Sequence, residues 1–230
     1  MTCDKMIEEI KQIDFYKNHE YLIPSIGLNY ISAHHKKLLI LGESHYLPLG
    51  STIQNDIDNW YNGKPKLSKP EKDYCCTTIS RCNDTVAFTK NVGCSLENIL
   101  KTKGLPVEHG FFEVASYNYF MRPAIDANTI EKALTEKDKE FALNNFIDLL
   151  DILQPNLIVF ASCLAMRNAE RSYKKKYNGK IVDFLKNKGI ERIYTWHPSR
   201  CWNTLVQNDE NFCKKTSKEF FEEWVSKKWF

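Results

Sequence analysis

Four short stretches of this chain are apolar or β-favouring, and polar residues follow each of them. They lie at residues 38–41, 111–118, 155–163 and 191–198. A continuous apolar run of this length is typical of a strand that is buried on both faces of a parallel sheet. Such a strand needs helices on both sides of the sheet, so this pattern limits the fold more than any other feature of the chain.

Helix-like segments flank these runs. Residues 136–153 carry apolar side chains at helical spacing, and residues 163–187 do so with a break near Asn178 and Gly179. Residues 3–18 and 210–230 are amphipathic. The alternation predicts an α/β fold, namely a three-layer α/β/α sandwich with a short, mostly parallel, four-stranded central sheet. The length of 230 residues and the apolar content of 43% favour a single domain over residues 1–230.

The composition of the chain limits the classes of partner that we expect. The first twenty residues are charged throughout and have no signal-peptide core, and no apolar run is long enough to span a membrane. We therefore expect a cytoplasmic protein without a membrane partner. The net charge of +3 is mild, but the segment 171–192 holds a cluster of basic residues that could meet phosphate.

The eight cysteines are irregularly spaced and form no CxxC pair. Free thiols are expected in this setting, and no metal or cofactor is predicted. One alternative stays open. Cys75, Cys76, Cys82 and Cys94 lie near one another in the sequence and could hold zinc or an iron–sulfur cluster.

The residues that follow the predicted strands are polar in every case. They are Gly42-Glu43-Ser44-His45, Ser116-Tyr117-Asn118, Ser162-Cys163 and His197-Pro198-Ser199. Ligands of open α/β sheets bind beyond the carboxyl ends of the strands. A binding site is therefore predicted at this edge of the sheet.

Four stretches from about residue 38 to residue 202 together resemble the uracil-DNA glycosylase superfamily, as a divergent member. "LLILGESHY" is similar to the first motif, which is Gly-Gln-Asp-Pro-Tyr or Gly-Glu-Ala-Pro-Gly in different branches. "VAFTKNVGCSLENIL" is similar to the segment with the base-stacking phenylalanine and the Pro-Ser-Leu-x-Asn-Ile loop. "VASYNYFMRP" resembles the strand with the base-reading asparagine, and "TWHPSR" resembles the second catalytic motif.

The resemblance implies a monofunctional DNA glycosylase that hydrolyses the N-glycosidic bond of uracil or another altered base flipped out of DNA. By the same resemblance, His197 donates a hydrogen bond to the base carbonyl as negative charge develops there. Asn118 reads the Watson–Crick edge, Phe88 stacks on the base, and Tyr46 lines the pocket near carbon 5.

Further residues are implied as DNA contacts. Ser95, Ser199 and the stretch from Arg200 to Trp202 would touch phosphate or wedge into the helix, and Arg122 is expected at the surface or on phosphate. The predicted partner is DNA, duplex or single-stranded. No cofactor is implied, and nothing in the sequence requires more than a monomer.

This chain departs from the family pattern in its first motif. Ser44 stands where one branch carries the aspartate that positions water, and His45 replaces the proline. We therefore expect Glu43 to orient the water, with help from His45. An insertion at about residues 47–84 is expected beside the pocket, where it could reshape it for a bulkier or modified base.

Two other functions stay open at this point. The chain could be a catalytically degenerate nucleic-acid-binding module of the same fold, which Ser44 in place of aspartate favours. Alternatively, Glu43 and His45 could form a metal-assisted or histidine-based hydrolase site with His34, His35 or His197 as a partner.

Overall fold

The computed structural model describes residues 2–124, 130–205 and 214–230. One sheet organises them. Its strands are β1 (Ser25–Ile26), β2 (Leu38–Tyr46), β3 (Ala115–Ala124), β4 (Leu157–Phe160) and β5 (Glu191–Tyr194). Their spatial order is β1-β3-β2-β4-β5, with β3, β2, β4 and β5 parallel and β1 antiparallel at the β3 edge. The fold is thus α/β with a five-stranded mixed sheet.

Helices fill the connections between the strands. They are α1 (Cys3–Lys11), α2 (Asp14–Asn18), α3 (Ile57–Asn62), α4 (Lys69–Cys75), α5 (Thr77–Arg81), α6 (Ala87–Thr102), α7 (Ile130–Ala133), α8 (Glu136–Leu153), α9 (Cys163–Tyr177), α10 (Ile181–Asn187), α11 (Pro198–Cys201) and α12 (Ser217–Lys228). Short 3-10 turns lie at Glu20–Leu22, Ile53–Asn55 and Gly110–Glu113. Within the described ranges, no helix is both long and apolar enough to cross a membrane.

The central strand β2 explains the continuous apolar run. It pairs with β3 on one side and β4 on the other, so neither edge is exposed. Leu39 and Leu41 pack with α1, α8, α9 and α10 on one face of the sheet, whereas Leu38 and Ile40 pack with α6 and α12 on the other. Because helices cover both faces, successive residues of β2 can all be apolar.

The predicted helices agree closely with the structure at the C-terminal half. Helix α8 spans the predicted residues, and the break predicted near Asn178 separates α9 from α10. Asn178 ends α9 in the left-handed conformation, with φ 52°, which asparagine tolerates better than most residues. The closing helix is α12, and residues 210–213 of its predicted range lie outside the described residues.

The strand number and several element boundaries differ from the sequence predictions. Strand β2 continues to Tyr46, and β4 and β5 are shorter than the predicted 155–163 and 191–198. The sheet has five strands rather than four, because the two-residue β1 was too short to show periodicity. The strand predicted at 111–118 is β3, which begins at Ala115 and continues to Ala124 after a 3-10 turn. The helix predicted at 3–18 is divided into α1 and α2, because the chain is extended at Ile13.

The predicted insertion at 47–84 is folded. It contains α3, α4 and α5, and its Trp60 and Leu67 lie in the main apolar core. Arg122 of β3 binds the insertion by donating from Nη1 to the carbonyl oxygen of Gln54 at 3.0 Å. The insertion thus packs against the sheet beside the carboxyl end of β2.

Candidate active site

A cavity of about 400 Å³ opens at the carboxyl edge of the sheet. Seven residues that the sequence predicted for the site line it, namely Ser44, His45, Tyr46, Phe88, Asn118, His197 and Ser199. The insertion supplies part of the wall through α4, α5 and the residues that follow them. The parallel strands therefore bring together side chains that are far apart in sequence, as their strand-end positions predicted.

Asn118 has a fixed orientation in this cavity. The guanidinium of Arg81 donates from Nη2 to Asn118 Oδ1 at 2.8 Å, and from Nε to Ser116 Oγ at 2.8 Å. Since a guanidinium can only donate, the amide oxygen must face Arg81. The amide nitrogen of Asn118 is then the end of the side chain that can donate to a ligand carbonyl.

Gly42 makes this arrangement possible. It lies opposite Asn118 in the pairing of β2 with β3. A Cβ atom on Gly42 would lie 2.1 Å from Asn118 Oδ1 and 3.1 Å from Arg81 Nη2. The first distance is far below van der Waals contact, so the Asn118–Arg81 pair requires a glycine here.

We expect Gly42→Ala to displace the Asn118 amide and break its bond to Arg81. The free energy of unfolding should fall by about 1–3 kcal/mol, as for other overpacked sites. Denaturant unfolding measures the loss, and the side-chain amide resonances of Asn118 report the displacement. Gly93→Ala is the matched control, because a Cβ there meets Phe111 at an ordinary 3.7 Å and should not destabilise the protein. An unchanged Asn118 amide in Gly42→Ala would contradict this explanation.

Phe88 lines the cavity, but its ring has a partner already. The guanidinium carbon of Arg81 lies 4.4 Å from the Phe88 ring centroid, and Phe88 is 5% exposed. A cation over an aromatic face is a favourable contact. The ring face toward Arg81 is therefore covered, which leaves the opposite face for the predicted stacking on a base.

His197 caps the short helix α11. The backbone N–H of Ser199 donates to His197 Nδ1 at 3.3 Å, so Nδ1 is the unprotonated nitrogen and the neutral ring carries its hydrogen on Nε2. Burial lowers the pKa of His197; the charge of Glu43 opposes this, and those of Arg200 and Arg81 reinforce it. The pKa is lowered overall, so His197 is a neutral donor at pH 7.

Glu43 does not belong to the cavity lining. Its Oε2 accepts a hydrogen bond from Ser162 Oγ at 2.5 Å. Ser162 is also the N-cap of α9, since its Oγ accepts from the backbone N–H of Ala165. Glu43 is half-buried between the ends of β2 and β4, from where its charge acts on His197.

His45 and Ser44 are buried beside the cavity. Burial, together with the charge of Arg81, lowers the pKa of His45 to about 3, although a hydrogen bond with the backbone of Cys75 acts in the opposite direction. His45 Nε2 and Ser44 Oγ have no hydrogen-bond partner among the described residues. Both atoms are thus buried polar groups in the wall of the cavity that have no partner of their own.

The structure corrects three of the predicted DNA contacts. Ser95 is buried inside α6 and donates to Glu222 Oε1 of α12 at 2.7 Å, so it does not lie on a loop. Trp202 is 4% exposed and packs on Phe221 in the core, which excludes it as a wedge. Arg122 is buried in an ion pair and cannot reach phosphate.

The remaining predicted contacts lie at the mouth of the cavity. Ser199 and Arg200 are exposed on α11, directly after His197. Tyr46 is half-buried at the end of β2 and lines the cavity. Their positions are compatible with the roles that the resemblance implies.

The residues for a metal site do not converge in the described part of the chain. No group of three or more His, Cys, Asp or Glu side chains in metal-binding geometry occurs among those residues. The charge of Arg81 next to His45 also disfavours a second cation there. The described cysteines are free, as expected, and Cys213 lies outside the described residues.

Sequence reasoning missed Arg81. It is 2% exposed, at the end of α5 within the insertion, and lines the cavity. The local sequence "TTISRCN" gives no sign of burial, since most of it is polar. Only the packing of α5 under β3 brings Arg81 to Asn118.

A scan against models of known protein families and a search of curated proteins both give no match for this chain.

Proposed function

We propose that this protein is a DNA glycosylase that hydrolyses the N-glycosidic bond of uracil or another altered base flipped out of DNA. One observation carries the proposal: the neutral donor His197 and the oriented amide of Asn118 line one cavity at the carboxyl edge of the sheet. Both groups are hydrogen-bond donors to oxygen, which suits a base with carbonyl groups. The motif likeness around these residues supports the same assignment.

Hydrolysis of the N-glycosidic bond requires hydrogen-bond donors to the leaving base and a positioned water molecule. Cleavage of the bond leaves a cationic sugar and an anionic base, and a water molecule must reach the sugar carbon. In this proposal His197 donates from Nε2 to a carbonyl oxygen of the leaving base, and Asn118 donates from its amide nitrogen to another. Glu43 orients the water from its place beside Ser162.

The fold, the partner and the location that we propose follow from the same resemblance. The helices on both faces of the sheet support a three-layer α/β/α sandwich. The exposed Ser199 and Arg200 at the cavity mouth suit a phosphate backbone. The partner would be DNA, and we propose a monomeric, cytoplasmic, single-domain protein that needs no cofactor.

A second function, a nucleic-acid-binding module without catalysis, is favoured by one feature. Glu43 is engaged with Ser162 and does not line the cavity. In that case Glu43 would take no part at the bound base. The two functions differ in a direct assay.

The test is a single-turnover glycosylase assay on labelled duplexes and single strands that carry uracil, hypoxanthine, xanthine or modified cytosines. Wild type should produce alkali-labile sites with at least one base, and His197→Ala should cut the rate by about 10²–10³-fold. Glu43→Gln should lower it by about 10²-fold or more. His109→Ala is the matched control, because His109 also accepts a backbone N–H at 3.3 Å to cap a short helix but lies outside the cavity lining.

The outcomes separate the two functions. Cleavage that is lost in His197→Ala and retained in His109→Ala supports the glycosylase. Salt-sensitive DNA binding without cleavage of any base supports the binding module. Neither cleavage nor binding would reject both.

A further inference from the structure

Arg81 is a buried cation without a counter-ion. Its guanidinium has five N–H donors. Among the described residues it donates to Ser116 Oγ, to Asn118 Oδ1 and to Ser80 Oγ, and all three acceptors are neutral. No carboxylate lies within ion-pair distance of Arg81 in the ranges that the structure describes.

This state is unusual for a buried arginine. Arg122, the other buried arginine among the described residues, has Asp138 as a bidentate partner. Burying a charge without a partner is costly, so such a charge is retained where it meets an opposite charge at some stage of function. Arg81 lines the cavity, where a ligand could supply that charge.

The electrostatics of the cavity follow from Arg81. Burial lowers its pKa to about 9, which still leaves the guanidinium charged at pH 7. The same charge contributes to the lowered pKa of His45 and of His197. The cavity lining therefore combines neutral imidazoles, the positive charge of Arg81 and the carboxylate of Asp73. Next to Arg81, which forms no ion pair among the described residues, the field favours an anion over a cation.

We propose that Arg81 is the counter-ion of the departing base, and that it selects bases that leave as stable oxygen-bearing anions. This inference rests on the proposed glycosylase function. The preferred class is the oxo-pyrimidines and other neutral bases with an acidic N–H. Bases that carry a positive charge in DNA, such as N-alkylated purines, are the disfavoured class.

The step balances without a further reactant. The bond between C1′ and the base nitrogen breaks, and its electron pair stays on the base as the negative charge that faces Arg81. The water oxygen forms the new bond to C1′ and gives one proton to Glu43. The base anion takes up a proton from solvent after it leaves the cavity, and Glu43 returns its proton to solvent.

The test compares leaving bases of graded acidity. Single-turnover rates are measured on duplexes with uracil, 5-fluorouracil and 5-bromouracil, for wild type, Arg81→Gln and Arg81→Lys. Without the charge, the rate should depend more steeply on base acidity, because a better leaving base needs less stabilisation. We expect Arg81→Gln to lose about 10²–10³-fold on uracil and clearly less on 5-fluorouracil. Arg81→Lys, which keeps the charge, should lose less on uracil than Arg81→Gln.

Two results would overturn the inference. One is an equal loss on all three bases in Arg81→Gln, which would indicate a structural role only. The other needs no variant: wild type that releases 7-methylguanine or 3-methyladenine as fast as uracil would show no selection by charge. If wild type releases no base at all, the proposed function itself fails, and this inference fails with it.

Discussion

Replacing Arg122 with methionine is expected to lower the free energy of unfolding by about 3–5 kcal/mol. Arg122 donates from Nε to Asp138 Oδ1 at 2.7 Å and from Nη2 to Asp138 Oδ2 at 2.6 Å, with both side chains buried. Burial alone would raise the pKa of Asp138, but hydrogen bonds from Arg122, Thr135 and Tyr61 outweigh burial and lower it. Methionine would leave a buried carboxylate without its cation, which is the costly way to break such a pair.

The effect is large because Asp138 joins several parts of the fold. Tyr61 of the insertion donates to its Oδ1 at 2.8 Å, and the N-cap Thr135 of α8 donates to its Oδ2. Arg122 also donates to the backbone of Gln54 and Ala133. One substitution therefore loosens β3, α8 and the insertion together.

Denaturant unfolding at pH 7 measures this loss. Lys17→Met is the matched control, because its ion pair with Asp14 is exposed, with side-chain exposures of 52% and 97%. Exposed pairs contribute about 0–1 kcal/mol, so the control should stay within that range. A loss below about 1 kcal/mol for Arg122→Met would show that Asp138 finds other compensation.

The second large effect is a loss of stability at acid pH through His45. The folded pKa of about 3 lies below the unfolded value of about 6.5, so the unfolded state binds the proton first as the pH falls. The stability is therefore fully present above about pH 6.5 and is lost progressively down to about pH 3. With 1.36 kcal/mol for each unit of pKa difference, His45 alone should remove about 2 kcal/mol between pH 7 and pH 5.

Urea unfolding from pH 7 to pH 5 tests this dependence. His45→Gln should flatten the slope by about the His45 contribution, whereas the exposed His34→Gln should leave it unchanged. Burial lowers the pKa of His19 too, so some acid sensitivity should remain in His45→Gln. Equal slopes for wild type and His45→Gln would mean that His45 gains a proton in the folded state without cost.

The parts of the fold that depend on local pattern could be predicted. The continuous apolar run of β2 and the helical spacing of apolar residues in α8 were sufficient to predict these two elements. In each, the positions of the buried residues follow from the local sequence alone. The break between α9 and α10 was visible at Asn178, a residue that tolerates the left-handed conformation. The strand β1 was not visible, because two residues carry no period and its pairing with β3 is a tertiary contact.

The residues of the candidate site also divide into those that the local sequence predicts and those that only tertiary contacts bring to the site. His197 and Asn118 were predictable because strand ends on one edge of a parallel sheet must converge. Ser95 was assigned from a motif likeness, although its helix α6 buries Val92 and Leu96 at helical spacing, which favours burial of that face. Arg81 was not predictable, because its importance depends on the contact between α5 and β3 and not on any local pattern.

The insertion described above has a consequence for how such a protein could diversify. The polar strand ends and the charge of Arg81 come from separate parts of the chain, the parallel strands and the segment 47–84. Within this segment, Arg81 covers one face of Phe88 and binds the oxygen of Asn118, whereas the pairing of the parallel strands involves none of the residues 47–84. Variation at position 81 could therefore retune the electrostatic preference of the cavity, while the pairing of the parallel strands stays as it is.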